Sequence, residues 1–257
     1  MPEVTAQERV RVNIVYKNAV NLSLKGVQQF SQGDEVFYTF GGFNLVKDSF
    51  AQMYYECQKK CGNAVTKKTF TSPKFLKTHV VYQILTSLKS SSIKSSFYSA
   101  EFGVFKGVTS MLITTILNNP EKHYIFDSFE GLSKPEEEDL EGSTNPVSGG
   151  EMSPSFEHIQ NLFPTSIVQK CWIPNQLKHT DALFDFVHID VDLYDPILGS
   201  LEYMIDKANP GCVIIVDDYN PRFPGCIQAI REHTSKHRDL YSLHYATGHG
   251  NYILIRK

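Results

Sequence analysis

The sequence predicts an α/β protein: a mostly parallel sheet with helices on both faces, an antiparallel hairpin at the carboxyl end, and amino-terminal helices. Three observations predict it. From Phe97 onward strand-like and helix-like segments alternate, the pattern of a parallel sheet covered by helices. Two strand-like segments, FDFVHIDVDLYD and CVIIVDDY, end in acidic clusters, and Asp190 lies 27 residues before Asp217, room for one crossover helix and its loops. The last stretch, DLYSLHYATGHGNYILIRK, reads as two strands around His249 and Gly250, a hairpin signal.

The elements follow in order. Residues 1–90 read as a helical extension, because KDSFAQMYYECQKKC and SPKFLKTHVVYQILTSLK carry apolar residues at mixed spacings of three and four. Ser72 and Pro73 suit the cap and first turn of the second helix. Residues 91–257 read as the sheet domain. SFYSAEF is a strand, followed by a glycine-containing turn and the helix VTSMLITTILNN, and HYIFDSF is the next strand. SPSFEHIQNLF is helical, TSIVQKCW a strand, and FDFVHID another. PILGSLEYMIDKA is a helix starting at Pro196, with Asp195 placed as its cap. CVIIVDD is a strand and PGCIQAIREHTSKH a helix. Between Ser133 and Pro154 an acidic stretch rich in glycine and proline reads either as a solvated surface loop or as a lid over the sheet edge.

Composition narrows the function. A chain of 257 residues with 41% apolar and 12% aromatic residues can build a well-packed core. A net charge of −3 without a basic stripe argues against nucleic acid as a partner. Apolar runs are strand-sized, so no membrane span is expected. The segment MPEVTAQERVRVNI lacks the apolar core of a signal peptide, and a cytoplasmic location is expected. Cys57, Cys61, Cys171, Cys212 and Cys226 form no CxxC pair, so reduced thiols are the expectation, not a zinc site.

Two adjacent parallel strands end at the same sheet edge, so Asp190, Asp217 and Asp218 are expected to converge where open α/β folds bind ligands. Three acids at one point repel, and a hard divalent cation with oxygen ligands relieves that repulsion. Upstream, SAEFGVFKG places Gly103 and Gly107 around a turn into a helix, where glycine lets backbone approach a ligand. Asp127 ends the next strand, positioned to accept hydrogen bonds from ribose hydroxyls or, alternatively, to cap a loop. Glu101 stands either as a turn acid or as a recogniser of a cationic or hydroxyl group.

Taken together, FTSPKFLKTHVVYQIL, AEFGVFKG, IFDSFEGL, HIDVDLYD and PGCVIIVDDY resemble, in order and spacing, the macrocin O-methyltransferase family. Its members methylate sugar hydroxyls on natural products and depend on S-adenosylmethionine and magnesium. The resemblance runs from about Phe70 to the carboxyl terminus and implies a Rossmann-like class I methyltransferase sheet. It implies that Glu101, Gly103, Val104 and Gly107 form the methionine side of the cofactor site, that Asp127 and Ser128 hold the ribose, and that Trp172 lies near the adenine. It also implies that Asp190, Asp217 and Asp218 bind Mg2+, with Asp190 taking the proton of a small-molecule hydroxyl acceptor, a sugar. The chain departs from the family pattern at KCWIPNQL, where a glycine is common, and at Val191 and Pro196, where small or hydroxyl residues are usual.

Other candidates have blander readings. His188 precedes Asp190 by two residues on the same strand face and suits a hydrogen-bonded core histidine. His249 is a turn residue before it is a base, and Asp192 a spectator before it is a ligand. The DxD of Asp190 and Asp192 also occurs in metal-dependent glycosyltransferases, which need neither the turn at Gly103 nor the pair Asp217-Asp218. A non-catalytic cofactor-binding module would not keep buried acids, which cost stability. The apolar amino-terminal helices are expected to pair subunits in a homo-oligomer.

Overall fold

In a computed structural model the described residues are 20–24, 27–32, 35–40, 45–66, 69, 72–92, 94–143, 146–246 and 250–257, with the backbone alone for 20–48 and 244–246. Strands β1 (Val20–Leu24), β2 (Val27–Gln32), β3 (Glu35–Phe40) and β4 (Leu45–Lys47) precede helices α1 (Asp48–Lys60) and α2 (Pro73–Ser91). Then come β5 (Ser99–Phe102), α3 (Val108–Leu117), β6 (His123–Asp127), α4 (Glu137–Leu140), α5 (Phe156–Leu162) and β7 (Ile167–Lys170). The chain closes with β8 (Phe184–Ile189), α6 (Tyr194–Met204), β9 (Ala208–Val216), α7 (Pro224–Lys236), β10 (Tyr241–Ala246) and β11 (Asn251–Arg256).

The main sheet has seven strands in the order β10-β11-β9-β8-β5-β6-β7. Strands β5 to β9 run parallel, and β11 pairs antiparallel with both β9 and β10, as the hairpin pattern predicts. The central strand FDFVHI is buried along its whole length because helices cover both faces. Successive residues Ile214 and Ile215 of β9 point into different cores. One core is closed by Ile197, Leu201 and Met204 of α6 with Cys226, Ala229 and Ile230 of α7. The opposite core joins Phe186 and Ile215 to Phe50 of α1, Phe75 and Leu85 of α2, and Leu112 and Ile113 of α3. Each such side chain, fully buried, contributes about 1.5–3 kcal/mol.

The amino-terminal expectation needs correction. Strands β1 to β4 form an antiparallel sheet, β1-β2-β3-β4, where helices were expected. EVFYTF is β-branched and aromatic, a composition that fits a pleated surface better than a helix. The helical reading holds for α1 and α2, but both helices pack into a core shared with β8 and β9 and do not form a core of their own. Ser72 caps α2 as expected, its Oγ accepting the Phe75 N–H at 3.2 Å. Helix α6 starts two residues before Pro196, with exposed Asp195 inside its first turn. The cap comes from elsewhere: the Tyr194 N–H donates to Asp139 Oδ1 at 2.8 Å.

Candidate active site

The first half of the site is the turn after β5. Phe102 O accepts the Asp190 N–H at 2.8 Å, and the Gly103 N–H donates to Phe126 O at 2.9 Å, so the turn is tied to the strand on each side. Gly103 has φ +84°, and a Cβ there would lie 2.1 Å from the carbonyl oxygen of Asp190. Glycine is therefore required by the approach of two protein segments. At Gly107, φ is +81° and a Cβ would meet Phe163 at 3.0 Å. Gly107 is the N-cap of α3, and its missing Cβ leaves room for Phe163.

That cavity, about 720 Å³, is lined by Gly103, Val104, Asp127, Ser128 and Trp172 on one side and by Asp190, Asp192 and Asp218 on the other. Asp127 Oδ2 accepts the Val104 N–H at 2.8 Å and Oδ1 the Phe129 N–H at 2.7 Å. Burial raises its pKa while these backbone donors oppose the rise. With Phe105 as a third backbone donor, the carboxylate still keeps acceptor capacity for a ligand. Ser128 has less to offer, because its hydroxyl donates to Gly131 O at 2.8 Å and accepts the Glu130 N–H at 3.1 Å. Trp172 is half-buried at the cavity wall just beyond β7.

The second half is the acidic edge. Ile189 and Val216 are register partners, so Asp190 and Asp217 follow at neighbouring strand ends, and the Asp217 N–H donates to Ile189 O at 2.9 Å. Asp218 and Asp192 have φ +65° and +60°, a left-handed backbone that non-glycine residues adopt at a cost. Ligand atoms of Asp190, Asp192 and Asp218 lie within 4.8 Å of one another, as do those of His188, Asp190 and Asp217. Asp192, read from the sequence as a spectator, is thus part of the cluster.

Two lysines that the sequence reading passed over stand among these acids. Lys74 Nζ contacts Asp190 Oδ2 and lies 3.3 Å from Asp217 Oδ2. Lys77 Nζ contacts Asp218 Oδ1 and lies 3.8 Å from Asp217 Oδ2. Burial lowers the Lys74 pKa, but Asp190 and Asp217 outweigh it and hold the ammonium charged. Burial raises the Asp217 pKa, and Lys77, Lys74 and His188 reverse the shift and hold it well below the usual range. Burial, followed by the charges of Asp218 and Asp190, pushes Asp192 well above that range.

A buried network links the two halves. His188 Nδ1 donates to Glu101 Oε1 at 2.9 Å, its Nε2 faces Asp217 Oδ1 at 3.6 Å, and Asn251 Nδ2 donates to the same Asp217 oxygen. Desolvation lowers the His188 pKa, yet Asp217 and Glu101 raise it to about 10, which favours the imidazolium. Ser110 donates to Glu101 Oε2 and contacts His123 Nε2 at 2.9 Å, while His123 Nδ1 meets Ser99 Oγ at 2.9 Å. Ser110 has one proton and gives it to Glu101, so His123 donates through Nε2 and accepts from Ser99. Glu101 lines the cavity, but both its oxygens already have partners inside the protein. His188 matches the core-histidine reading, and His249 lies outside the described residues.

The donor set fits a divalent cation. Among the described residues five carboxyl groups, Glu101, Asp190, Asp192, Asp217 and Asp218, stand against three cationic groups, Lys74, Lys77 and the His188 imidazolium, so oxygen ligands are in excess. Carboxylate oxygens are the ligands hard cations take. Cys57 and Cys61 are free buried thiols with pKa values raised by burial to about 11 and about 12, which makes them poor metal ligands.

The stretch from 133 to 154 turns back towards the site. Leu132, Ser133 and Met152 line the cavity, and Leu132 pairs with Glu151 and Gly150 at 2.9 Å each. Asp139 is buried against Gly225 of α7, where a Cβ would lie 2.0 Å from its Oδ1. Tyr54, Gln58 and Asn63, from α1 and the segment after it, also line the cavity. No described helix is long and apolar enough to cross a membrane.

A family profile described as Macrocin-O-methyltransferase (TylF) matches residues 77–245. The O-methyltransferase NovP superposes with a TM-score of 0.59 at 19% identity, covering 70% of this chain and 79% of NovP. CalS11, a calicheamicin methyltransferase, superposes with a TM-score of 0.57 at 17% identity, covering 81% of this chain and 93% of CalS11. These identities establish a shared fold. No curated protein sequence matches the chain significantly.

Proposed function

This chain belongs to the macrocin-O-methyltransferase family and is an S-adenosylmethionine-dependent O-methyltransferase, and we propose that its acceptor is a hydroxyl of a sugar or glycosylated natural product and that a divalent cation, magnesium, assists the transfer. The observation that carries the proposal is one cavity bounded by the turn at Gly103 and the end of β6 at Asp127 and by the acids Asp190, Asp192 and Asp218. Donor and acceptor chemistry would then meet across a single space. The acceptor class is in keeping with CalS11, described as a TDP-rhamnose 3'-O-methyltransferase. Gln58, Asn63 and Arg222 at the wall suit a hydroxyl-rich acceptor.

S-adenosylmethionine supplies a methyl group already activated on a sulfonium. Val104 and Asp127 would bound its ribose side and Trp172 its adenine side, with Gly103 setting the distance to the acids. Asp190, Asp217 and Asp218, joined by Asp192, would hold the cation. When bound, Mg2+ lowers the pKa of an acceptor hydroxyl and orients it. Asp190 and Asp192 both face the cavity and could accept the hydroxyl proton. His188 holds Asp217 and Glu101 at a fixed separation through its two ring nitrogens. The side chains around the cavity orient the acceptor, and ideal orientation is worth up to about 7–11 kcal/mol.

The test is Asp217→Asn, an isosteric change. Turnover should fall by about a hundredfold or more and lose its dependence on added Mg2+, while S-adenosylhomocysteine affinity changes by less than about threefold. Unchanged metal-dependent turnover would overturn the cation assignment. S-adenosylmethionine should raise the melting temperature and a nucleotide sugar without it should not.

A further inference from the structure

We propose that Lys74 occupies the cation's place among the acids and must leave it when the cation binds, whereas Lys77 stays as a permanent counter-ion. The inference rests on the divalent-cation reading of the same acids. Lys74 and Lys77 stand three residues apart on one face of α2, and neither position serves the helix. Lys74 lies in the first turn, at the positive amino-terminal end, where a cation is disfavoured. Their partners explain them: Lys74 bridges Asp190 and Asp217, and Lys77 bridges Asp217 and Asp218.

The two lysines differ in their freedom. The Lys74 side chain keeps 44% of its surface exposed, and Lys77 keeps 10%. Lys74 therefore has solvent to move into and Lys77 does not. Asp190 and Asp217, whose oxygens touch Lys74, are two of the acids assigned to the cation. A cation can enter only by exchanging with the ammonium, so its apparent affinity is reduced by the fraction of molecules in which Lys74 is seated. The exchange also keeps the acids assembled without the cation, since the ammonium offsets their mutual repulsion.

The experiment is calorimetric titration of Mn2+ into the full chain, wild type and variants, without acceptor. Lys74→Met should bind Mn2+ at least about tenfold more tightly than wild type, and Lys74→Arg no more tightly. Lys77→Met should tighten binding less than Lys74→Met and should lower the melting temperature in the absence of Mn2+. Equal or weaker binding by Lys74→Met overturns the inference and leaves the cation site standing. Equal tightening by Lys77→Met overturns the assignment of the displaced residue. Failure of both wild type and Lys74→Met to bind Mn2+ overturns the inference and the cation reading together. Circular dichroism of each variant separates loss of fold from loss of binding.

Discussion

Replacing Gly103 with alanine adds one methyl group where the turn after β5 meets the acidic edge. Two costs can be worked out. The first is conformational: at φ +84° an L-residue sits in the left-handed region, at about 1–2 kcal/mol. The second is steric. The new Cβ would lie 2.1 Å from Asp190 O and 2.8 Å from Asp190 C, both backbone atoms, so no side-chain rotation relieves it. The segments must part by about 1.3 Å to reach ordinary contact, against the 2.8 Å hydrogen bond from the Asp190 N–H to Phe102 O. A total of about 3 kcal/mol follows, within the range seen for strain at special backbone positions. For a chain of this size that lowers the melting temperature by about 6–12 °C. A shift of this size between donor and acceptor sites costs about a hundredfold in turnover. Differential scanning calorimetry and a methyl-transfer assay measure the two effects. A Gly103→Ala protein that melts within 2 °C of wild type, by estimate, and turns over within about threefold would refute the reasoning.

Two further predictions follow from buried groups outside the acid cluster. His123 is buried and its pKa is lowered to about 3, by desolvation first and by the His188 charge second. Between about pH 6.5 and 3 the unfolded chain binds a proton here that the folded chain refuses, so stability falls with pH at about 1.4 kcal/mol per unit. Urea unfolding at stepped pH should show a shallower acid slope for His123→Gln than for wild type, and identical slopes would remove His123 from the account. Asp139→Ala deletes the acceptor for the N–H groups of Tyr194 and Glu136. It should cost about 0.5–2 kcal/mol and speed proteolysis between residues 133 and 154, and an unchanged cleavage rate would mean that Asp139 does not anchor that stretch.

The order of strands and helices from residue 97 onward was legible because each rests on a local pattern. FDFVHI and CVIIV are apolar runs of strand length, and Ser72-Pro73 is a local start signal. The amino-terminal strands were missed because their apolar pattern is short and lies beside two strong helical ones. The start of α6 was misplaced because its cap, Asp139, comes from 55 residues earlier in the chain. Gly103 was picked out for the approach of a ligand; the fold adds a second demand, since its missing Cβ makes room for Asp190 O.

By itself the sequence determined the sheet architecture, the acidic strand ends and the family, since all of these are written in residue type and short-range spacing. Only the tertiary structure decided how those acids are neutralised. Lys74 reaches Asp190 across 116 residues and Asp217 across 143, and Lys77 reaches Asp218 across 141. Coulomb interactions depend on separation in space, and no local periodicity encodes which distant cation the fold carries to a given acid.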